Sequence, residues 1–213
     1  MCLAYAPTIP APTKTDSAPS VTGLNRMAHK QQRDYCEYVR GRFPEFFRHC
    51  HVLDVGSLDI NGSNRDLFTN CTYTGIDIAP GKNVDVVSLA HEYDRGPESF
   101  DTIISTECFE HDKHYPATLR NIVRMLKPGG LFLFTCATEG RAEHGTSRTT
   151  PKDSPFTGGY YKNLSATDIL DAIDVFNIFG EHQFSTVHTT HDLQFYGIKE
   201  GELLSCLSQS SSR

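Results

Sequence analysis

Tryptophan is absent from the 213-residue sequence, and no apolar run approaches the length, about twenty residues, that a membrane-spanning helix needs. A basic excess is absent as well. Lysine and arginine number 20 against 26 acids, a formal net charge of −6, which is the wrong sign for neutralising phosphates, so no nucleic-acid partner is expected. The seven cysteines, Cys2, Cys36, Cys50, Cys71, Cys108, Cys136 and Cys206, include no Cys-x-x-Cys pair. An odd, scattered set reads as reduced thiols of a cytoplasmic protein and carries no zinc-site spacing, although ten histidines supply nitrogen donors. One further absence is local. VLDVGSLDINGSN, residues 52–64, begins like a nucleotide-binding loop, but after Gly56 the next glycine is Gly62. The closely spaced second and third glycines of a dinucleotide cradle are missing, which disfavours a nicotinamide enzyme.

What is present describes a single folded domain. Hydrophobic residues make up 38% and charged residues 22%, and the length allows a well-buried core. Residues 1–22, rich in Pro, Ala, Ser and Thr, lack the basic start and apolar stretch of a secretory signal and read as a disordered arm. Residues 205–213 read as a flexible tail, leaving 23–204 as the domain. Residues 24–43 predict a helix ended by Pro44. Strands are predicted at 52–55, 73–79, 84–89, 100–106 and 131–137. Leu119, Ile122, Val123 and Leu126 predict an amphipathic helix with Pro116 in its first turn and Pro128-Gly129-Gly130 as its stop. Ser165 and Asp168 match a capping box, and 184–190 with 192–200 predict an antiparallel edge hairpin across His191-Asp192. Together these predict an α/β, Rossmann-like, doubly wound and mostly parallel seven-stranded sheet with an antiparallel edge hairpin.

Ligands of such sheets bind beyond the carboxyl ends of the strands, so the residues there are the site candidates. Gly56 leaves its backbone open to close approach, since it has no side chain. Asp77 ends the second strand, where an acid can accept both hydroxyls of a ribose; the plainer role is a helix N-cap. For Asp54, holding loop amides is as good an assignment as holding a ligand.

VLDVGS, YTGIDIA, FDTIIS and RMLKPGGLFLFTCA, in this order and spacing, resemble the class I S-adenosylmethionine-dependent methyltransferases over roughly residues 50–200. The resemblance implies S-adenosyl-L-methionine as cofactor and S-adenosyl-L-homocysteine as product. It implies cofactor contacts from Asp54, Gly56, Ser57, Asp59, Asp77, Ile78, Leu89, Ala90, His91, Thr106 and Glu107. The stretched GSLDING loop departs from the family's glycine-rich form, and Ser57, Asp59 and Asn61 are alternatives for meeting the methionine tail. GSLDINGSNR, FEHDKH, CATEGRAEHGTSR and YYKNLS further resemble small bacterial-type methyltransferases associated with sugar and cell-surface glycan assembly. The Asn/Asp-Pro-Pro-Tyr motif of DNA-amine methylation is missing after the fourth strand.

That resemblance implies O-methylation of a sugar or glycan hydroxyl. The alternatives are another small molecule, a lipid or a protein side chain as acceptor, or a non-catalytic S-adenosylmethionine-binding scaffold. An oxygen acceptor needs a base, and His111 is the first candidate, His144 the second; capping or packing is the plainer role for either. His144 sits on a long polar loop that reads as a lid, with Arg141, His144, Arg148, Tyr160 and Tyr161 as substrate-binding candidates. No metal is expected; the alternative set for a divalent ion is Glu107 and Asp112, with Glu110 and His114 beside them.

Overall fold

The computed structural model describes residues 21–201, with residues 21–29 by backbone alone. The expected tail lies outside the described residues, as does the expected arm apart from Val21 and Thr22, which open the first helix. That helix, α1, runs Val21–Arg42, and a short 3₁₀ turn at Pro44–Phe47 follows it. The strands are β1 (His51–Val55), β2 (Thr72–Asp77), β3 (Val86–Val87), β4 (Phe100–Thr106), β5 (Leu126–Ala137), β6 (Phe179–Val187) and β7 (Asp192–Lys199). Helices α2 (Tyr115–Met125), α3 (Ala166–Ala172) and α4 (Val175–Ile178) complete the set. The sheet order is β3-β2-β1-β4-β5-β7-β6, with β1 to β5 parallel and β7 antiparallel to both neighbours. This is the expected seven-stranded Rossmann-like architecture.

Strand alternation divides the core between the two faces of the sheet. On one face Leu53, Val55, Ile103, Phe132, Phe134 and Phe195 meet Leu119, Ile122 and Met125 of α2 and Ile169 of α3. On the other, Ile104, Leu131, Leu133 and Tyr196 meet Tyr35, Cys36 and Val39 of α1 and Phe47 of the 3₁₀ turn. Phe134 stacks on Phe195 with centroids 5.3 Å apart, and Phe132 lies 5.9 Å from the same ring. Contacts of this kind add roughly 0.5–1.5 kcal/mol beyond area burial.

Three boundaries differ from the sequence expectation. Leu126 belongs to β5, where it pairs with Phe100, so the amphipathic helix stops at Met125 and the strand begins before the Pro-Gly-Gly. Between the pairs Phe100↔Leu126 and Thr102↔Leu131 the register shifts, so Pro-Gly-Gly is a bulge within the strand. Gly129 has φ +75, and a Cβ on Gly130 would lie 2.9 Å from the Asp101 carbonyl oxygen. The predicted third strand shrinks to Val86–Val87, an exposed edge of the kind short strands commonly form. The hairpin connection spans 188–191, and β6 starts earlier, at Phe179. Gly180 and Glu181 break its apolar pattern, and Glu181 pairs with Arg42 across the sheet edge at 2.8 Å.

The segments joining β1 to β2, β2 to β3 and β3 to β4 carry loops and one 3₁₀ turn, Arg65–Leu67, in place of helices. Polar loops therefore crowd the carboxyl ends of the strands. On the opposite flank, the Ser165 hydroxyl accepts from the Asp168 amide at 3.2 Å while the Asp168 carboxylate accepts from the Ser165 amide at 2.8 Å. This capping box aims α3 so that Ile169 reaches the core. Ser165→Ala is expected to lower stability by about 1 kcal/mol. Urea unfolding checks this as a lower midpoint at an unchanged slope.

Candidate functional site

A cavity of about 380 Å³ opens where β1, β2 and β4 end. Its first wall is the β1 turn. The Gly56 and Ser57 amides both donate to the Ile76 carbonyl, at 2.9 and 3.0 Å, which binds this turn to the end of β2. Gly56 has φ +79, and a Cβ there would stand 2.5 Å from Cβ of Cys108 and 2.6 Å from its Sγ. The atoms that exclude a side chain at Gly56 belong to Cys108, not to the ligand that the sequence alone suggests. Asn83, itself at φ +71, donates to the Ser57 carbonyl at 3.0 Å and accepts from the Ser57 hydroxyl at 3.1 Å through its own carbonyl.

The acids of the first two strands serve different partners. Asp77 accepts from the Leu58 amide at 3.2 Å and the Ala79 amide at 2.9 Å, so it ties the β1 and β2 loops together. Burial raises its pKa against the pull of those amides. Asp54 is buried and accepts the Tyr73 hydroxyl at 2.7 Å. Burial lifts its pKa to about 6, opposed by the Tyr73 and Asn83 hydrogen bonds. Both carboxyl groups line the cavity, with Ile78, Leu89, Ala90, His91, Thr106 and Glu107. Asp59 does not: it accepts from the Gly62 amide at 2.7 Å and pairs with Lys82 at 2.7 Å, stiffening the loop from outside the wall.

The other end of the cavity lies under the β4 and β5 ends. Glu107 adopts φ +52, a costly conformation for a residue with a side chain. One of its carboxylate oxygens accepts from the Thr135 hydroxyl at 3.2 Å; the other, 3.5 Å from Arg141, has no hydrogen bond. Arg141 also donates to Asp192 at 2.7 Å and to the Thr190 carbonyl at 2.6 Å. Glu110 is fully buried; Oε1 accepts from the Ala137 amide at 3.2 Å, and Oε2 has no partner. The His111 and His144 rings meet edge to face at 5.1 Å, with Nε2 of His144 4.0 Å from Oε1 of Glu110. Burial drives these groups towards their neutral forms. It raises Glu107, helped by the Glu110 charge, and Glu110, opposed by His144, and it lowers His144 and takes His111 down to about 4.

Of the expected substrate contacts, Arg141 and His144 line the cavity, whereas Arg148, Tyr160 and Tyr161 do not. Arg148 is exposed and paired with Glu143 at 2.8 Å. Tyr161 packs behind both imidazoles, 5.4 Å from His111 and 5.0 Å from His144, and donates to Asn163 at 2.7 Å. The alternative metal set is not gathered. Asp112 instead accepts the His114 amide at 2.7 Å and the Thr118 hydroxyl at 2.5 Å, at the start of α2. Among the described residues, the ligand atoms that converge, all within 4.8 Å of one another, belong to Glu110, His111 and His144. Wall residues that the sequence reading missed include Gln32 of α1 and the segment 153–158. The only signal for that segment was its Pro and Gly content, which marks a turn without saying where it folds.

Sheet order, strand-end cavity and two covered faces define a Rossmann-like α/β protein. The family model of the methyltransferase domain matches residues 27–180, and the chain belongs to that family. No curated protein matches it. Among solved structures, the 1,6-didemethyltoxoflavin-N1-methyltransferase of Burkholderia thailandensis, with 1,6-didemethyltoxoflavin and S-adenosylhomocysteine bound, is 17% identical at a TM-score of 0.53, covering 90% of this chain and 95% of that one. The N-methyltransferase NodS of Bradyrhizobium japonicum WM9 is 15% identical at 0.52, over 84% and 97% of the two chains. Phosphoethanolamine N-methyltransferase 2 of Haemonchus contortus, in complex with S-adenosyl-L-methionine, is 18% identical at 0.50, over 71% of this chain and 49% of that one, about half its length. At these identities the likeness is one of fold.

Asp54 supplies a test of the buried wall. Its folded pKa, about 6, stands above the 3.8 of an ordinary aspartate, so its stabilising protonation is complete at low pH and is lost as pH rises through 6. Asparagine keeps an acceptor for Tyr73 but cannot ionise. Asp54→Asn should therefore gain stability relative to the parent between pH 4 and pH 7, by on the order of 2–3 kcal/mol at about 1.4 kcal/mol per unit. Paired urea titrations at the two pH values read the difference.

Proposed function

We propose that the chain is an S-adenosyl-L-methionine-dependent methyltransferase that transfers a methyl group to a hydroxyl of a sugar or glycan. The observation that carries this reading is one cavity with two chemically distinct ends. At the first, Asp77 closes β2 beside the β1 turn, suited to ribose hydroxyls. In this reading Asp54, Gly56 and Ser57 border the methionine tail, Ile78, Leu89, Ala90 and His91 border the adenine, and Thr106 and Glu107 lie towards the sulfonium. At the second end stand Arg141, Glu110, His111 and His144, a polar group that suits a hydroxyl-rich acceptor.

When bound, S-adenosyl-L-methionine supplies a methyl carbon already activated by its sulfonium, and S-adenosyl-L-homocysteine is the product. The protein's share is alignment, exclusion of water and removal of the acceptor proton. His111 and His144 are the catalytic candidates, because their burial keeps the imidazoles uncharged and able to accept. The reading carries a cytoplasmic location, which rests on seven scattered cysteines that include no Cys-x-x-Cys pair. No helix among the described residues is long and apolar enough to cross a membrane.

The test is methyl-labelled S-adenosylmethionine offered with pooled acceptors: nucleotide sugars and glycans, catechols, lipids, and peptides. Label is expected in the saccharide pool. Asp77→Ala should weaken S-adenosylhomocysteine binding at least about tenfold, the loss expected for one hydrogen-bonded charged group. Label in another pool overturns the acceptor. Binding without transfer to any pool favours a scaffold.

A further inference from the structure

The group formed by Glu110, His111 and His144 is not explained by a base and its orienting acid. A hydrogen-bonded acid–base pair stands at roughly 2.6–3.2 Å, yet Nε2 of His144 is 4.0 Å from Oε1 of Glu110. Oε2 of Glu110 and Nδ1 of His111 are buried with no hydrogen-bond partner. A buried polar atom left unpaired costs about 1–3 kcal/mol, so two of them in one cluster point to an occupant, and a cation satisfies a carboxylate oxygen and an unprotonated imidazole nitrogen together. The edge-to-face rings leave no stacked surface between the imidazoles, and Tyr161 closes the cluster from behind.

We propose that Glu110, His111 and His144 bind one divalent transition-metal ion of the Zn²⁺ class at the acceptor end of the cavity. Two imidazoles and one carboxylate are the protein ligands of open, catalytic-type zinc sites, and imidazole selects this class over Mg²⁺. Metal bonds of about 2.1 Å at tetrahedral angles place ligand atoms roughly 3.4 Å apart, so the observed spacing, all within 4.8 Å, closes onto an ion by side-chain rotation. His111 and His144 line the cavity while Glu110 lies behind them, so the ion's remaining positions face the space where an acceptor hydroxyl would enter. The Ala137 amide, on Oε1 of Glu110, and the Ala142 carbonyl, 3.2 Å from Nδ1 of His144, hold the ligands from outside. This set differs from the Glu107 and Asp112 alternative read from the sequence. This site does not depend on the methyl donor, and it replaces the imidazoles' role as proton acceptors: with the ion bound, their electron pairs go to the metal, which would instead acidify a hydroxyl held at its open position.

The experiment is titration of the chelator-stripped full chain with Co²⁺, followed by its visible ligand-field absorption, then displacement by Zn²⁺. One equivalent per chain is expected. His144→Ala and Glu110→Gln should each weaken it at least about 100-fold, beyond what loss of an outer partner does. His182→Ala, on β6 with its ring nitrogen 2.9 Å from the Phe179 carbonyl, should leave it unchanged. Thermal unfolding of each variant excludes loss of fold. Absence of saturable binding, or binding that survives both site variants or falls equally with His182→Ala, overturns the proposal. Parallel titration with S-adenosylhomocysteine reports on the functional reading separately, so either claim can fail alone.

Discussion

Gly56 and Cys108 share a space that admits one side chain, and the arrangement of the site follows from which residue has it. With no Cβ at Gly56, the β1 turn lies flat against Cys108, two residues past the end of β4, and its two amides reach the Ile76 carbonyl. Three strand ends are thereby held together, and Asp77 is placed across the Leu58 amide. Cys108 then starts the short 3₁₀ turn Phe109–His111, which buries Phe109 in the core and sets Glu110 beneath the end of β5. A side chain at Gly56 would part the turn from Cys108 and disturb both ends of the cavity at once. Gly75 repeats the constraint one strand over, where a Cβ would meet Oγ of Ser57 at 2.6 Å.

The second constraint is electrical. Glu107, Glu110 and Asp192 are all withdrawn from water around the single guanidinium of Arg141, which reaches Glu107 and Asp192 directly. One positive charge does not balance three carboxylates, so burial leaves acids with raised pKa values and imidazoles with lowered ones. Apart from the Arg141 pairs, such a site holds neutral donors and acceptors. It is suited to proton movement or to a cation that replaces the protons, and not to gripping a permanently charged phosphate.

Much of the fold was legible because it rests on local pattern. The apolar runs of β1, β4 and β5, the period of α2 and the Ser165–Asp168 box each identify an element within a few residues of its own sequence. The strand-end rule then placed Asp54, Ser57, Asp77 and His111 on one cavity. What escaped notice depends on contacts distant in sequence. Nothing near Gly56 names Cys108 as its neighbour. Arg148 and Tyr161 look like binding residues until the fold pairs one with Glu143 and sets the other behind two imidazoles. The meeting of His144 with Glu110 and His111 requires a long loop to return across the β4 end, which periodicity does not encode. Pro128-Gly129-Gly130 looked like a stop because a bulge and a turn use the same residues.

The central claim is that the strand-end cavity holds the methyl donor, and calorimetric titration of the full chain with S-adenosylhomocysteine tests it most directly, with NADH as the comparison ligand. One saturable site for S-adenosylhomocysteine and none for NADH is the expected result. A folded protein that binds NADH, or that binds no S-adenosylhomocysteine at all, would contradict it.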